Sequence, residues 1–216
     1  MAASRNSPPN SLPDRVAAFI AARTTPDERL CVGLSGGCDS VVLLHVLAGL
    51  GFGDRLRVVH VHHGLSVNAD RWAEFCAEYC RRLGIGFLTE HVTVDRNSAL
   101  GLEAAARAAR YEVFARRAGD LLLLGHHRGD QAETLLFNLL RGAGVAGTAA
   151  IPAERRQQRL RILRPLLDVS REEIEAYARD HRLDWVDDES NCDTRLTRNF
   201  LRHQVLTVLA GRFPAA

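Results

Sequence analysis

Short apolar runs, each closing in a polar turn, alternate along this chain with longer stretches of helical period. Leu30-Cys31-Val32-Gly33-Leu34, Arg57–Val61, Phe87–Val94, Leu121–Leu124 and Leu160–Leu163 read as strands, most of them apolar throughout as buried parallel strands are. Between them, Val41–Leu47, the segment after Asn68 and the alanine-rich Leu102–Ala118 read as helices. In the second of these, Trp72, Phe75, Cys76, Tyr79, Cys80 and Leu83 fall on one face. Gln131–Arg141 predicts a further helix stopped at Gly142, and Ser170-Arg171-Glu172-Glu173 is a capping box that opens another toward Tyr177. Strands alternating with helices predict an α/β fold, a mostly parallel sheet with helices on both faces. Ligands of such sheets bind at the carboxyl ends of the strands, so Ser35–Ser40, His60–Leu65 and Gly125–Asp130 are the loops to examine.

Ser35-Gly36-Gly37-Cys38-Asp39-Ser40 turns a strand into a helix through two glycines. That geometry leaves backbone N–H groups unpaired at the positive end of a helix dipole, an anion site suited to pyrophosphate. Ser35 and Ser40 add hydroxyl donors, and Asp39 is placed to hold a divalent ion. A Walker loop needs a lysine, and all 28 Lys+Arg positions of this chain are arginine, so a conventional P-loop nucleotidase is excluded.

At 216 residues and 46% hydrophobic composition the chain suits one sizeable α/β domain, residues 14–216, after a polar, proline-rich tail at 1–13. The formal charge of +2 calls for a local arginine patch if nucleic acid is bound. Arg155-Arg156, Arg159, Arg161 and Arg164 form the densest one, and a charge run of this length alone reads rather as a solvated, mobile loop. Five cysteines without a Cys-x-x-Cys pair argue against a disulfide framework or an iron–sulfur cluster and for a cytoplasmic protein. No membrane-length apolar run is present. His60 and His62 share a strand face, yet no nearby cysteine or carboxylate completes a tetrahedral zinc set.

The ordered motifs carry more than any one of them. They are Ser35–Ser40; Val59-His60-Val61-His62-His63-Gly64-Leu65; Glu103–Arg107 with Arg110-Tyr111; and Gly125-His126-His127-x-x-Asp130-Gln131-Ala132-Glu133-Thr134. Leu139-Leu140-Arg141-Gly142-x-Gly144, Arg164-Pro165-Leu166-Leu167, Ser190-Asn191 and Arg198–Arg202 follow. Over roughly residues 28–210 the chain resembles the N-type ATP pyrophosphatases and, within them, the tRNA(Ile)-lysidine synthetases. The resemblance implies a Rossmann-like fold of the adenine nucleotide alpha hydrolase type. It implies a ligase that adenylates the wobble cytidine of tRNA(Ile) with a CAU anticodon, releases pyrophosphate, and lets free L-lysine displace AMP. The implied cofactors are ATP and Mg²⁺, the latter on Asp39, and homodimers are common in the family.

The resemblance further implies that Ser35, Gly36, Gly37, Cys38, Asp39, Ser40, His60 and Gly125 bind the nucleotide. Asp39, Asp130, Arg107 and His127 would carry the chemistry, and His126, Glu133, Arg110, Arg141, Asn199 and Arg202 would meet lysine or tRNA. Simpler readings stand beside these. Arg107 can pair with Glu103 on a helix surface, either histidine can be a satisfied core residue, Asp130 can cap a helix, and Asn199 can pin a loop. Gly129 stands where many members have aspartate, His62 where they have asparagine, and the chain ends at Ala216, before the further tRNA-binding domain of relatives. A tRNA thiolase and a non-catalytic nucleotide-binding module are the competing functions.

Overall fold

A computed structural model describes residues 11–99, 101–144 and 150–213. Its elements are α1 (Leu12–Ala21), β1 (Leu30–Gly33), α2 (Cys38–Leu47), β2 (Leu56–His62), α3 (Ala69–Leu83) and β3 (Gly86–His91), followed by α4 (Leu102–Arg117), β4 (Leu121–Leu123) and α5 (Arg128–Leu140). The hairpin β5 (Glu154–Gln157) and β6 (Leu160–Leu163), α6 (Arg171–Asp180), the single turn α7 (Thr197–Phe200) and α8 (Leu206–Arg212) complete them. Residues 11–13, expected within the tail, belong to α1: Ser11 caps it by accepting from the Asp14 N–H at 3.2 Å. The rest of that expectation, residues 1–10, lies outside the described residues.

The six strands run in the order β3-β2-β1-β4-β6-β5, all parallel except β5, which is antiparallel to β6. Alternation along β1 explains how both faces are covered. Leu30 and Val32 point into one core with α1, α2, α3 and α6, while Cys31 points into a second core built with Val113 and Phe114 of α4 and Ala118 at its C-cap. Connections leave β1 in one direction and β4 in the other, so the switch in strand order falls between them. A crevice opens there at the strands' carboxyl ends. The turns after β1 and β4 are Leu34–Gly37 and Leu124–His127, which puts two of the three predicted loops, Ser35–Ser40 and Gly125–Asp130, at that crevice.

The Arg155–Arg164 segment is not a mobile loop. Arg155 and Arg156 lie in β5, Arg161 in β6 pairs with Glu28 at 2.8 Å and Glu154 at 3.2 Å, and Arg164 is buried. Asn68 stands at the N-cap of α3, but its side chain donates to Glu189 Oε1 at 3.3 Å instead of capping.

Candidate functional site

The Ser35–Ser40 loop is drawn tight by its own serines. Ser40 Oγ donates to Gly37 O at 2.9 Å and lies 3.1 Å from Ser35 Oγ, while the Ser35 N–H donates back to Ser40 Oγ at 3.2 Å. Gly36 has φ +93° and a Cβ there would meet Val186 Cγ2 at 2.7 Å, so glycine is required both by the backbone and by the neighbour. The Val186 N–H in turn bonds Gly36 O at 3.0 Å. Among the described residues the N–H groups of Gly36, Cys38 and Asp39 are left without a partner, an outward-facing set at the start of α2. Gly125 lets the β4 turn approach: a Cβ would lie 3.0 Å from the Asp39 carbonyl. His60, predicted to touch the nucleotide, is buried with its Nδ1–H donating to Leu34 O at 2.8 Å, and so holds the strand end from which the loop departs.

Asp39 sits under Arg171, whose Nη1 donates to its Oδ1 at 2.8 Å. Burial pushes the Asp39 carboxyl above its ordinary range, and Arg171 and then His127 pull it back. His127 caps α5 with its side chain: Nδ1 accepts from the Gly129 N–H at 3.0 Å, and Asp130 Oδ2 accepts from the His127 N–H at 2.8 Å. With Nδ1 an acceptor, the ring proton lies on Nε2, 3.9 Å from Asp39 Oδ2 and 3.8 Å from Asp130 Oδ2. A Cβ at position 129 would strike His127 Cε1 at 2.7 Å. Glycine here is therefore what lets the imidazole fold back between two carboxylates.

A second cluster is cationic. Arg164, 2% exposed, donates Nε–H to His126 Nδ1 at 3.2 Å and Nη1–H to Pro152 O at 2.7 Å. Burial holds His126 down to about 4, with Arg164, Arg107 and Arg110 lowering it further against Asp130, so its ring is neutral. His63 is likewise lowered to about 4 by burial and by Arg110. Arg110 keeps a buried Nε without a partner, and Arg107 rests against Tyr111, 5.2 Å from the ring centroid. The surface pair of Glu103 with Arg107 does not form; Glu103 faces Arg198 at 3.4 Å.

The third group is acidic. Glu133, 2% exposed, accepts from Arg202 Nε at 2.5 Å through Oε1, and its buried Oε2 has no partner. Thr134 Oγ1 is also buried and unpartnered, and the spacing of Asp130, Glu133 and Thr134 places them on one face of α5. Arg202 also lies 3.9 Å from Asp130, so one guanidinium sits against both carboxylates. Asn199 takes the loop role, donating Nδ2–H to Ser190 O and Asp193 O. Arg141 lies at the far end of α5, over Phe137 and about 16 Å along the helix from Asp130, and is not brought to the site. No motif flags Arg171 as a site residue, because in sequence it is only the second residue of a capping box.

A mostly parallel sheet whose switch point carries a lysine-free glycine loop, a set of carboxylates and a buried arginine defines an α/β protein with a candidate anion-binding crevice. Residues 10–209 match the sequence profile described as the PP-loop domain, and the chain belongs to that family. It is 51% identical over 200 residues to the tRNA(Ile)-lysidine synthase of Aromatoleum aromaticum, covering 92% of this chain and 47% of the relative. With the tRNA(Ile)-lysidine synthase of Pseudomonas syringae pv. tomato it shares 53% over 190 residues, 86% of this chain and 42% of the relative. The chain thus spans about half the length of the curated relatives it matches. Among solved structures, the U34-tRNA thiolase NcsA from Methanococcus maripaludis, with its 4Fe–4S cluster, superposes with a TM-score of 0.76 at 18% identity, covering 94% of this chain and 73% of that one. That likeness shows the fold.

Proposed function

We propose that this chain adenylates a base oxygen of tRNA(Ile) with a CAU anticodon and joins free L-lysine to the wobble cytidine, forming lysidine and releasing AMP and pyrophosphate. The names of the relatives, about half of whose length this chain spans, support the reaction. The observation that carries the amine is Glu133: a buried carboxylate with one oxygen unpartnered, on the helix face of Asp130, already drawing in a cation. Buried carboxylate oxygens without donors are costly, and an ammonium supplies the donors.

The free N–H groups of Gly36, Cys38 and Asp39 would take the pyrophosphate as it leaves the α-phosphorus. Arg107 and Arg110 would face the phosphates or the RNA, holding negative charge near the neutral His126. In the second step the amine attacks C2, the C–O bond to AMP breaks, and the amine's proton passes to Glu133 Oε2. The partly exposed Asp39 carboxylate fits Mg²⁺, which is held by one or two carboxylates together with substrate phosphates and would neutralise charge on the leaving group. The reading implies a cytoplasmic enzyme.

Sulfur transfer is disfavoured by the thiols themselves. Cys31, Cys38, Cys76 and Cys80 are buried, burial raises three of them to about 12 and Cys38 to about 11, and the exposed thiol, Cys192, has no Cys-x-x-Cys partner. The test of the amine socket is calorimetric titration of L-lysine into the chain and into Glu133→Gln. We expect binding by the parent and a loss on the order of tenfold or more in the variant. Equal affinities would remove Glu133 from the amine site.

A further inference from the structure

The β5–β6 hairpin has no part in the chemistry above, yet it is built as an electrostatic surface. All four residues of β5, Glu154 to Gln157, are exposed, and they form an edge of the sheet. Its acid is already used, since Glu154 pairs with Arg161 at 3.2 Å. Arg155, Arg156 and Arg159, by contrast, have no carboxylate within ion-pair distance among the described residues, whereas Arg161, Arg171 and Arg202 each do. The turn between the strands is tight, with Gln158 at φ +54°, so the three cations are held on a paired ribbon. An edge strand protected by arginine on both faces avoids pairing with other strands, and it also presents separated positive charges at strand spacing.

The hairpin is tied to the site. The Arg164 N–H bonds Ala153 O at 3.0 Å and its Nη1–H bonds Pro152 O, while its Nε–H reaches His126. Arg155 pairs in register with Ile162, which puts it on the sheet face that Arg164 shares, and its charge is felt at Arg164. A line of positive charge therefore runs from Arg107, Arg110 and Arg164 in the site through Arg155 to Arg159 at the turn.

We propose that this edge is a docking surface for the RNA phosphate backbone, carrying the strand whose base enters the site. It rests on the RNA-directed reading above. The contacts are to phosphate, so they set affinity and register without reading sequence.

The experiment measures binding of a labelled RNA stem-loop between roughly 50 and 200 mM salt, beside ATP binding by calorimetry and binding to anionic phospholipid vesicles. For the triple variant R155A/R156A/R159A the slope of log affinity against log salt is expected to fall in magnitude by about 2 to 3, with RNA affinity at low salt reduced at least about tenfold. ATP affinity should be unchanged, and the triple lysine variant should keep the parent slope. If the triple alanine chain loses ATP binding through misfolding, R159A alone should still lower the slope by about 1. An unchanged slope with intact ATP binding overturns the proposal, as does a lysine variant as weak as the alanine one. Loss confined to vesicles overturns it too. A parent chain that binds no RNA at low salt instead contradicts the RNA reading itself, and the docking edge with it.

Discussion

Asp39 and Arg171 form the contact on which the proposed chemistry of the loop turns, 2.8 Å apart at the start of two different helices. Asp39→Ala is expected to abolish pyrophosphate release with little change in melting temperature, because its carboxylate bonds no backbone of the loop. AMP formation at the parent rate would remove Asp39 from the mechanism. Arg171→Ala should cost less than about 1 kcal/mol of stability, since the pair is partly exposed. The same change should weaken ATP binding by on the order of tenfold to a hundredfold, with Arg171→Lys in between. Equal ATP affinity in parent and variant would confine Arg171 to a structural pair. The histidines set a pH signature. His126 and His63 titrate near 4 in the folded chain against about 6.5 unfolded, so the unfolded chain binds more protons in that window. Stability should therefore fall as pH drops from about 6.5 toward 4, each histidine contributing up to about 1.4 kcal/mol per pH unit. Urea midpoints at descending pH check this, and His126→Gln should flatten the curve; a slope identical to the parent's would contradict the burial argument for that ring.

At the scale of elements, patterns of period and punctuation were legible where burial imposed them. β1, β2, β4 and β6 are apolar runs because both sheet faces are covered, and the α6 capping box forms as written, Ser170 Oγ accepting from the Glu173 N–H. β5 was not legible, since Glu-Arg-Arg-Gln is exposed on every side and its strand conformation comes only from pairing with β6. α1 was masked by flanking prolines, although Leu12, Val16 and Ile20 keep a helical stripe against α2. Asp70 is the carboxylate that the spacing of the histidines does not reveal: its Oδ1 accepts from His62 Nε2–H at 2.9 Å, a contact that needs α3 folded back over β2. The glycines of the crevice make a direct test. Gly36→Ala requires a strained positive φ and displaces Val186, so a stability loss of about 1–3 kcal/mol and loss of ATP binding are expected. Unchanged melting and ATP affinity would mean that the loop is not held in this conformation.

For the whole molecule, the sheet's switch point does what no single motif does: it brings the turn after β1 beside the turn after β4, and α5, α6 and the segment around Arg202 supply charge from separate parts of the chain. The convergence of Ser35–Ser40 with Gly125–Asp130 is readable from strand–helix alternation, which puts both loops at the carboxyl ends of parallel strands. The pairing of Arg171 with Asp39, of Arg164 with His126 and of Arg202 with Glu133 is not, because each joins residues 38 to 132 positions apart through tertiary packing. The proposed ligation is tested most directly by incubating the chain with ATP, labelled lysine and tRNA(Ile) carrying a CAU anticodon, and measuring AMP together with label on the RNA. The account predicts lysine joined to the wobble cytidine in equal amount to AMP, both lost in Asp39→Ala. AMP formed without lysine transfer, sulfur delivered to the base, or lysine joined without ATP would contradict it.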